Sequence, residues 1–290
     1  MMTLPKIVNT WLEQALTDEF GQDLSIANIT SVSGGCINHA CKLILSNGVK
    51  LFLKYQNTSF DDMFAQEAIG LAEINSQVEL FAPKVIAYSK FGLLVEYLEP
   101  AQTNPNFWTE LAKKLAQMHS VVGDAFGFPT DNFCGLTKQE NKMTKDGYDF
   151  FANHRLNYQT KLALDAKFID KELAKDIDSI ANHLDKWIPE MPPVLIHGDL
   201  WSGNIMSTTD GAKIIDPACY YGWAEADLAM TCLFGGFNSD FYSSYLHYSN
   251  IDKDWEERAA LYNLYHLLNH LNLFGISYLS QIKIVVRDFV

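Results

Sequence analysis

The sequence has few basic residues for its length. It contains 22 lysines and arginines against 35 aspartates and glutamates among 290 residues, giving a formal net charge of −13. Nucleic acids and anionic membranes bind lysine and arginine, so neither is expected as a partner. A nucleotide needs only a local positive site and is therefore not excluded. No apolar stretch reaches membrane-spanning length, and residues 1–10 lack the pattern of a signal peptide.

Cysteine is also scarce, and several common signatures are missing. There is no C-x-x-C pair, so neither a zinc site nor a disulfide framework is indicated, and a reducing cytoplasm is the expected location. The chain lacks a Walker A motif, a G-x-G-x-x-G motif and internal repeats. Apolar residues at 48% and charged residues at 20% are typical of a globular protein. The five cysteines are Cys36, Cys41, Cys134, Cys219 and Cys232.

The most informative stretch is 194–217. Two apolar runs, 194–196 and 213–215, each end in polar residues, and the Asp-Gly pair at 210–211 between them predicts a turn. His197, Asp199 and Asn204 have the H-x-D-x-x-x-x-N spacing of the protein-kinase catalytic loop. Asp216 then follows the second run, and the pattern predicts that these four side chains lie close together.

This set suits phosphoryl transfer from ATP. One carboxylate, Asp199, would accept the proton of the acceptor hydroxyl, while an amide and a second carboxylate, Asn204 and Asp216, would hold Mg²⁺. The alternative is that Asp199 and Asn204 only cap turns. The complete set favours a kinase over that alternative.

The N-terminal part fits the same hypothesis. Strands are expected at 26–32, 40–46 and 50–55, and a helix at 60–76. The Gly-rich turn 33–38 lies between the first two strands and would, in a kinase, lay backbone N–H groups over phosphates. Lys54 on the third strand and Glu67 in the helix are expected to form the ion pair that positions the α- and β-phosphates.

Two further strands, 83–88 and 92–98, precede a change from strand to helix. A helix is expected at 5–20 before the sheet, and after it at 106–122, 147–166 and 170–187, with residues 240–290 helical throughout. Residues 123–142 are expected to be loop-rich. His266 and His270 are spaced loosely like metal ligands but lack a general-base glutamate between them, so packed histidines are expected.

The amino-acid sequences of these motifs resemble those of the fructosamine kinase family. The resemblance rests on His197–Asn204, on Asp216-Pro-Ala, on Glu225–Thr231 and on Phe234-Gly-Gly-Phe. It implies an α+β, two-lobed protein-kinase-like fold, with a small antiparallel-sheet lobe at 1–98 and a larger, mainly helical lobe at 99–290. It also implies phosphorylation, by ATP and Mg²⁺, of the 3-hydroxyl of ketosamines, either small molecules or adducts on glycated proteins, and hence deglycation.

The same resemblance assigns further roles. Adenine would contact the hinge, and Asp227 would support the catalytic loop together with His197, with His119 packed structurally. Trp201 and Trp223 are candidates for contact with the sugar, since a tryptophan face suits a sugar ring. The family tends to have tryptophans where this chain has Met143 and Gly147, so the acceptor preference is open. Nucleotide contacts are expected from Gly34, Gly35, Asn38, Lys54, Glu67, Glu96, Tyr97 and Leu98.

Three other hypotheses remain. In the first, the protein is a kinase for an amino alcohol or an aminoglycoside. Turnover assays with a panel of acceptors distinguish such a kinase from a ketosamine kinase. A nucleotide-binding pseudokinase scaffold is disfavoured because Asp199, Asn204, Asp216 and Lys54 are all present. Finally, Cys36 lies in the glycine turn, where backbone N–H groups lower a thiol pKa, so it is a candidate redox switch. The expected state is a monomer or a redox-sensitive homodimer.

Overall fold

The computed structural model describes residues 4–21, 24–32, 39–56 and 62–290. Its contacts divide the chain into two compact units. The first unit is Met1–Asn104 with Met206–Ile215, and the second is Pro105–Ile205 with Asp216–Val290. This division differs from the expected boundary after residue 98 in two places, because residues 99–104 and the segment 206–215 belong with the first unit.

The first unit is built on a five-stranded antiparallel sheet in the order β1-β2-β3-β5-β4. The α+β class and the antiparallel N-terminal sheet expected from the sequence are confirmed. The strands are β1 (Ile26–Ser31), β2 (His39–Leu45), β3 (Lys50–Tyr55), β4 (Val85–Ser89) and β5 (Gly92–Glu96). The helices of this unit are α1 (Lys6–Phe20) and α2 (Met63–Gln77).

One face of the sheet forms a hydrophobic core with α1. Val8 and Leu12 of α1 are fully buried against Leu43 and Leu53 of the sheet. Strand β3 alternates between buried and less buried positions, as expected for period-two side chains, so Lys54 points away from the face that holds Leu53. This alternation puts Lys54, the second of the two lysines of β3, on the face opposite to the one that holds Leu53.

The hairpin of β9 (Ile205–Thr208) and β10 (Gly211–Ile214) explains why residues 206–215 join the first unit. Ala101 N–H donates to Ser207 O, and Ile214 N–H donates to Phe81 O, both at 2.9 Å. Lys213, almost fully buried, donates from Nζ to Leu80 O at 2.6 Å. These bonds are long-range in sequence, so composition and periodicity do not reveal them.

The second unit is mainly helical and holds two small two-stranded sheets. Its helices are α3 (Phe107–Met118), α4 (Gly147–Phe151), α5 (Tyr158–Asp165), α6 (Lys171–Ala181), α7 (Ala224–Leu233), α8 (Ser239–Tyr248), α9 (Trp255–Phe274) and α10 (Leu279–Phe289). Its strands pair as β6 (Asn132–Cys134) with β7 (Thr137–Gln139) and as β8 (Val194–Ile196) with β11 (Tyr220–Gly222).

Several expected elements differ in detail from those observed. The loop-rich region 123–142 contains the β6–β7 hairpin. The helix expected at 147–166 is interrupted by a π-helical segment, Ala152–Asn157, which places the buried Arg155 between the rings of Phe150 and Tyr220. The helix expected to reach residue 122 ends at Met118. Among the described residues, no helix combines the length and the apolar character needed to span a membrane.

Candidate active site

The loop that follows β8 is fixed by a tight approach of two backbone segments. His197 and Gly198 are buried directly after the strand, and Ala218 N–H donates to His197 O at 2.9 Å. Gly198 has φ +80°, and a Cβ placed there would lie 2.2 Å from Ala218 O. Only glycine fits both the backbone angle and the space, which explains the glycine of the His-Gly-Asp motif.

Asp227, in the first turn of α7, holds this loop from the inside of the unit. Its Oδ2 accepts from His197 N–H at 2.7 Å, and its Oδ1 accepts from Gly198 N–H at 2.9 Å. Burial by itself raises the pKa of Asp227, but the hydrogen bond and charge of His119 outweigh burial, and the net effect is a lowered pKa. The carboxylate is therefore ionised where it accepts the two backbone protons.

His119, at the end of α3, completes this support. Its Nε2 lies 3.2 Å from Asp227 Oδ2, and its Nδ1 lies 2.6 Å from the hydroxyl of Tyr245. His119 is only 7% exposed. The packed histidine expected from the sequence is thus one member of a buried chain from Tyr245 through His119 to Asp227, in which no sequence pattern had indicated Tyr245.

Asp199 and Asn204 are brought together by a 3-10 turn at Ser202–Asn204. The amide Nδ2 of Asn204 donates to Asp199 O at 2.8 Å and to Asp199 Oδ2 at 3.2 Å. Burial and, after it, the negative charge of Asp216 raise the pKa of Asp199 to about 7, although the hydrogen bond from Asn204 opposes the rise. A carboxyl group with a pKa near 7 is suited to accept a proton at neutral pH.

Asp216 lies on the other segment of the site, immediately after the β9–β10 hairpin. It adopts φ +56°, in the left-handed region that few residues other than glycine enter, though aspartate is among those that tolerate it. Since the amide nitrogen of Asn204 is bonded to Asp199, its amide oxygen is the atom left for a cation. An amide oxygen and a carboxylate near Asp199 form an oxygen donor set of the kind that Mg²⁺ prefers.

In the first unit, the structure brings together the predicted ion pair. Lys54 Nζ lies 2.6 Å from Glu67 Oε1, and both side chains are 14% exposed. Lys54 is paired in register with Ala40 of β2 and Leu93 of β5, so the strand that holds it has a neighbour on each side. The lysine is therefore held both by its backbone and by its counterion.

The proposed hinge lies at the end of β5. Glu96 N–H donates to Lys84 O at 2.9 Å, and Tyr97 N–H donates to Lys50 O at 3.3 Å. A backbone contact from Glu96 to adenine would therefore come from its carbonyl oxygen. The ring of Tyr97 is covered by Lys42 Nζ at 3.9 Å from its centroid. The role of Leu98 stays a prediction.

The glycine turn lies outside the described residues. This applies to Gly34, Gly35, Asn38 and Cys36, so their expected phosphate contacts and the redox switch stay predictions, as does the redox-sensitive homodimer. Of the other four cysteines, Cys41, Cys134 and Cys219 are buried and Cys232 is exposed.

The two tryptophans predicted to contact the sugar have different surroundings. Trp201 lies two residues after Asp199 and is 38% exposed. Its ring lies over Gly203, where a Cβ would approach it to 2.3 Å, and its edge faces Phe234 with the centroids 6.3 Å apart. Trp201 thus offers a fixed and partly open aromatic surface beside the catalytic loop.

Trp223 does not offer such a surface, contrary to the expectation from the sequence. The β8–β11 register pairs Gly222 with Val194, the first residue of β8, whereas His197 follows the last residue of that strand. Trp223 therefore lies at the end of β8 that is far from His197. It is 3% exposed and packs against aromatic rings, including Phe126 at 5.4 Å between centroids. A Cβ at Gly147 would lie 2.7 Å from the Trp223 ring, so this glycine makes room for it.

Two further residues lie beside Asp199. Cys134, at the end of β6, and His266, in α9, each place a donor atom within 4.8 Å of an Asp199 oxygen and of one another. Burial lowers the pKa of His266 to about 3, so its imidazole is neutral. Residues 134, 199 and 266 are far apart in sequence, and only the tertiary structure reveals this cluster.

Comparison with known proteins identifies the family. The model of the fructosamine kinase family matches residues 8–290. A probable ketoamine kinase from Synechocystis is 39% identical over 283 residues, covering 96% of this chain and 95% of that protein. The chloroplastic protein-ribulosamine 3-kinase of Oryza sativa subsp. indica is 35% identical over 280 residues, covering 93% of this chain and 81% of that protein.

A solved structure agrees with these relatives. The crystal structure of a candidate fructosamine-3-kinase from Thermobifida fusca superposes with a TM-score of 0.87 at 28% identity, covering 95% of this chain and 97% of that one. The match therefore covers both units and is not confined to one motif. The chain belongs to the fructosamine kinase family.

Proposed function

We propose that this protein transfers the γ-phosphoryl group of ATP to the 3-hydroxyl of a ketosamine. The acceptor would be a ribulosamine, an erythrulosamine or a fructosamine, free or attached to a protein, and the role would be deglycation. The observation that supports this most directly is the supported loop, in which Asp199 is bonded to Asn204 while Asp227 holds His197 and Gly198. The ketoamine and ribulosamine kinases among the relatives support the choice of acceptor.

Asp199 is assigned as the general base. With a pKa raised to about 7, it is able to accept the proton of the 3-hydroxyl as that oxygen attacks phosphorus. The backbone bonds to Asp227 keep the loop in place while Asp199 works. Positioning and electrostatics supply most of the rate in phosphoryl transfer, so a loop fixed in this way is what the reaction requires.

Asn204 and Asp216 would hold Mg²⁺, which neutralises charge on the phosphates when bound. Lys54, held by Glu67 in the first unit, would bind the α- and β-phosphates. Its partial burial strengthens its interaction with an anion relative to a lysine in water. The glycine turn and the hinge complete the proposed nucleotide site.

Trp201 would contact the sugar, and Trp223 is withdrawn from this role because it is buried at the far end of β8. The open part of the Trp201 ring gives C–H contacts to a sugar ring and attracts a protonated amine, which a ketosamine has next to its sugar carbons.

The first experiment measures ATP turnover with Mg²⁺ by the purified, reduced protein. A ribulosamine, a fructosamine, choline and an aminoglycoside serve as acceptors. Turnover confined to the two ketosamines is expected. Turnover only with choline or the aminoglycoside would show that the acceptor is not a ketosamine. Absence of turnover with all four acceptors, despite ATP binding, would refute the proposed reaction.

A second experiment tests the acceptor surface. Trp201→Ala is expected to raise the KM for the ketosamine by about tenfold, because the contact between one aromatic ring and the sugar is worth about 1–2 kcal/mol. The KM for ATP should stay unchanged. Trp187→Ala is the matched control, because Trp187 packs against Phe289 near the C-terminus. An unchanged ketosamine KM in Trp201→Ala would remove the tryptophan from the acceptor site.

A further inference from the structure

Three side chains with metal-binding atoms meet at the catalytic loop. They are Cys134 at the end of β6, Asp199 after β8 and His266 in α9, and their ligand atoms all lie within 4.8 Å of one another. Cys134 is 2% exposed and His266 is 4% exposed, whereas Asp199 is half-buried. Two ligands are thus enclosed, and the third is accessible to solvent.

His266 adds a second observation. Its Nδ1 is buried and has no hydrogen-bond partner among the described residues. An imidazole nitrogen removed from water without a partner is unfavourable, and each such atom in a native structure calls for an explanation. A metal ion held by Nδ1, one of the two ring nitrogens that His266 can offer to the cluster, would provide one.

The distances are compatible with metal binding. Three atoms that are all within 4.8 Å of each other enclose a point no more than about 2.8 Å from each of them, by simple geometry. Zinc bonds to sulfur, nitrogen and oxygen are about 2.0–2.3 Å long. Movements of roughly 0.5–0.8 Å, within reach of small side-chain rotations, would bring all three ligands to those lengths.

The donor set and the surrounding charge indicate which ion would bind. Thiolate, imidazole and carboxylate together suit Zn²⁺ and do not suit Mg²⁺, which prefers oxygen ligands. The carboxylates of Asp216 and Asp227 are close enough to Asp199 to interact with it electrostatically. At Cys134 itself, the negative charge of Asp199 is opposed by the positive charge of Arg155.

We propose that Cys134, Asp199 and His266 form an inhibitory zinc site. On binding, a Zn–S bond forms as the Cys134 thiol releases its proton to solvent, and the ion takes one oxygen of Asp199 and one nitrogen of His266. Water completes a tetrahedral site. Asp199 bound to the ion no longer accepts the proton of the acceptor, so turnover stops. The inhibition rests on the proposed function, whereas the metal site itself does not.

The binding experiment uses Co²⁺ as a spectroscopic substitute for zinc, added to the metal-free, reduced full-length protein with Mg²⁺ in excess. One equivalent is expected to give a sulfur-to-cobalt charge-transfer band with the visible bands of tetrahedral cobalt, which one equivalent of Zn²⁺ removes. The bands are expected to be lost in Cys134→Ser and kept in the controls Cys232→Ser and Cys36→Ser.

Absence of the bands, or bands that persist in Cys134→Ser, would refute the site. Circular dichroism checks that this variant is folded. If it is not, His266→Gln decides the question in the same assay, because loss of the nitrogen ligand is expected to weaken cobalt binding at least tenfold. An unchanged cobalt affinity in His266→Gln would likewise refute the site.

The activity experiment measures inhibition by free Zn²⁺ in a metal buffer, relative to the zinc-free rate of each variant. The zinc concentration for half-inhibition is expected to rise at least tenfold in Cys134→Ser and to stay the same in Cys232→Ser. Cobalt binding without inhibition would keep the site and refute its inhibitory role. Cobalt binding by a protein that phosphorylates none of the acceptors would refute the proposed function alone.

Discussion

Removing the charge of Asp199 is expected to stabilise the protein while abolishing its activity. The pKa of this carboxyl group is raised from 3.8 to about 7, chiefly by burial and by the charge of Asp216. The ionised form is therefore disfavoured in the folded state. Asp199→Asn removes that charge and retains an oxygen that accepts the bond from Asn204 Nδ2.

The magnitude follows from the shift in pKa. Below pH 3.8 the group is protonated in both the folded and unfolded states, so it has no effect on stability. As the pH rises from 3.8 to 7, the unfolded state ionises first, and folding loses about 1.4 kcal/mol per pH unit. The full loss, about 4 kcal/mol above pH 7, is an upper limit because Asp199 is half-buried.

The assay is urea denaturation of the metal-free, nucleotide-free protein at pH 8 and at pH 4. Asp199→Asn is expected to raise the free energy of unfolding by about 2–4 kcal/mol at pH 8 and by about 0.5 kcal/mol at pH 4. Turnover should fall by about 10²–10⁴-fold, with ATP binding retained. Asp124→Asn, at an exposed position of the same unit, serves as the control and should change neither quantity.

Two results would refute the expected effect on stability, and a third would refute the role of Asp199. A variant less stable than the wild type at pH 8 would mean that the Asp199 carboxylate is favourably solvated in the folded protein. A gain of equal size at both pH values would mean that the effect comes from packing rather than from charge. Near-normal turnover would refute the assignment of Asp199 as the base.

Three other substitutions test separate parts of the structure. Lys54→Met should lower kcat/KM for ATP by about 10²-fold with little change in acceptor KM, measured by steady-state kinetics, and an unchanged value would remove the lysine from the nucleotide site. Gly198→Ala should prevent folding or lower the free energy of unfolding by several kcal/mol, as measured by thermal denaturation. Gly48→Ala is the control: Gly48 also has a positive φ, +87°, but no atom lies within 4 Å of the added Cβ, so the loss should be only about 1 kcal/mol. Arg258→Met should lower the free energy of unfolding by about 3 kcal/mol in urea denaturation, because it leaves the buried Glu225 carboxylate without its cation. In the wild type, Arg258 donates two hydrogen bonds to this carboxylate, at 2.6 and 2.8 Å. A loss below about 1 kcal/mol would show that water reaches Glu225.

The sequence predicted the residues of the catalytic loop and most helices and strands. Strand β3 was placed at its observed bounds, 50–55, and α1 to within one residue, because both have regular apolar periodicity. Lys54 and Glu67 were paired correctly across 13 residues, because a kinase needs an ion pair between its third strand and the helix that follows, although β3 also contains Lys50 and α2 also contains Glu73. Such features depend on local pattern or on chemistry that fixes residue type and order.

Other features depend on contacts between residues distant in sequence. The β8–β11 register moves Trp223 away from the catalytic loop, and no local pattern encodes that register because each strand has only three residues. The assignment of residues 206–215 to the first unit depends on bonds such as that from Lys213 to Leu80 O. The π-helical segment at Ala152–Asn157, likewise, accompanies the burial of Arg155.

The sequence by itself therefore determined the family and the reaction class and supplied the candidate catalytic groups, because phosphoryl transfer restricts which residues occur at which spacing. Only the tertiary structure decided the electrostatics of those groups. The raised pKa of Asp199 comes from burial and from Asp216, 17 residues away in sequence. The meeting of Cys134, Asp199 and His266 comes from three elements that approach one another only after the chain has folded.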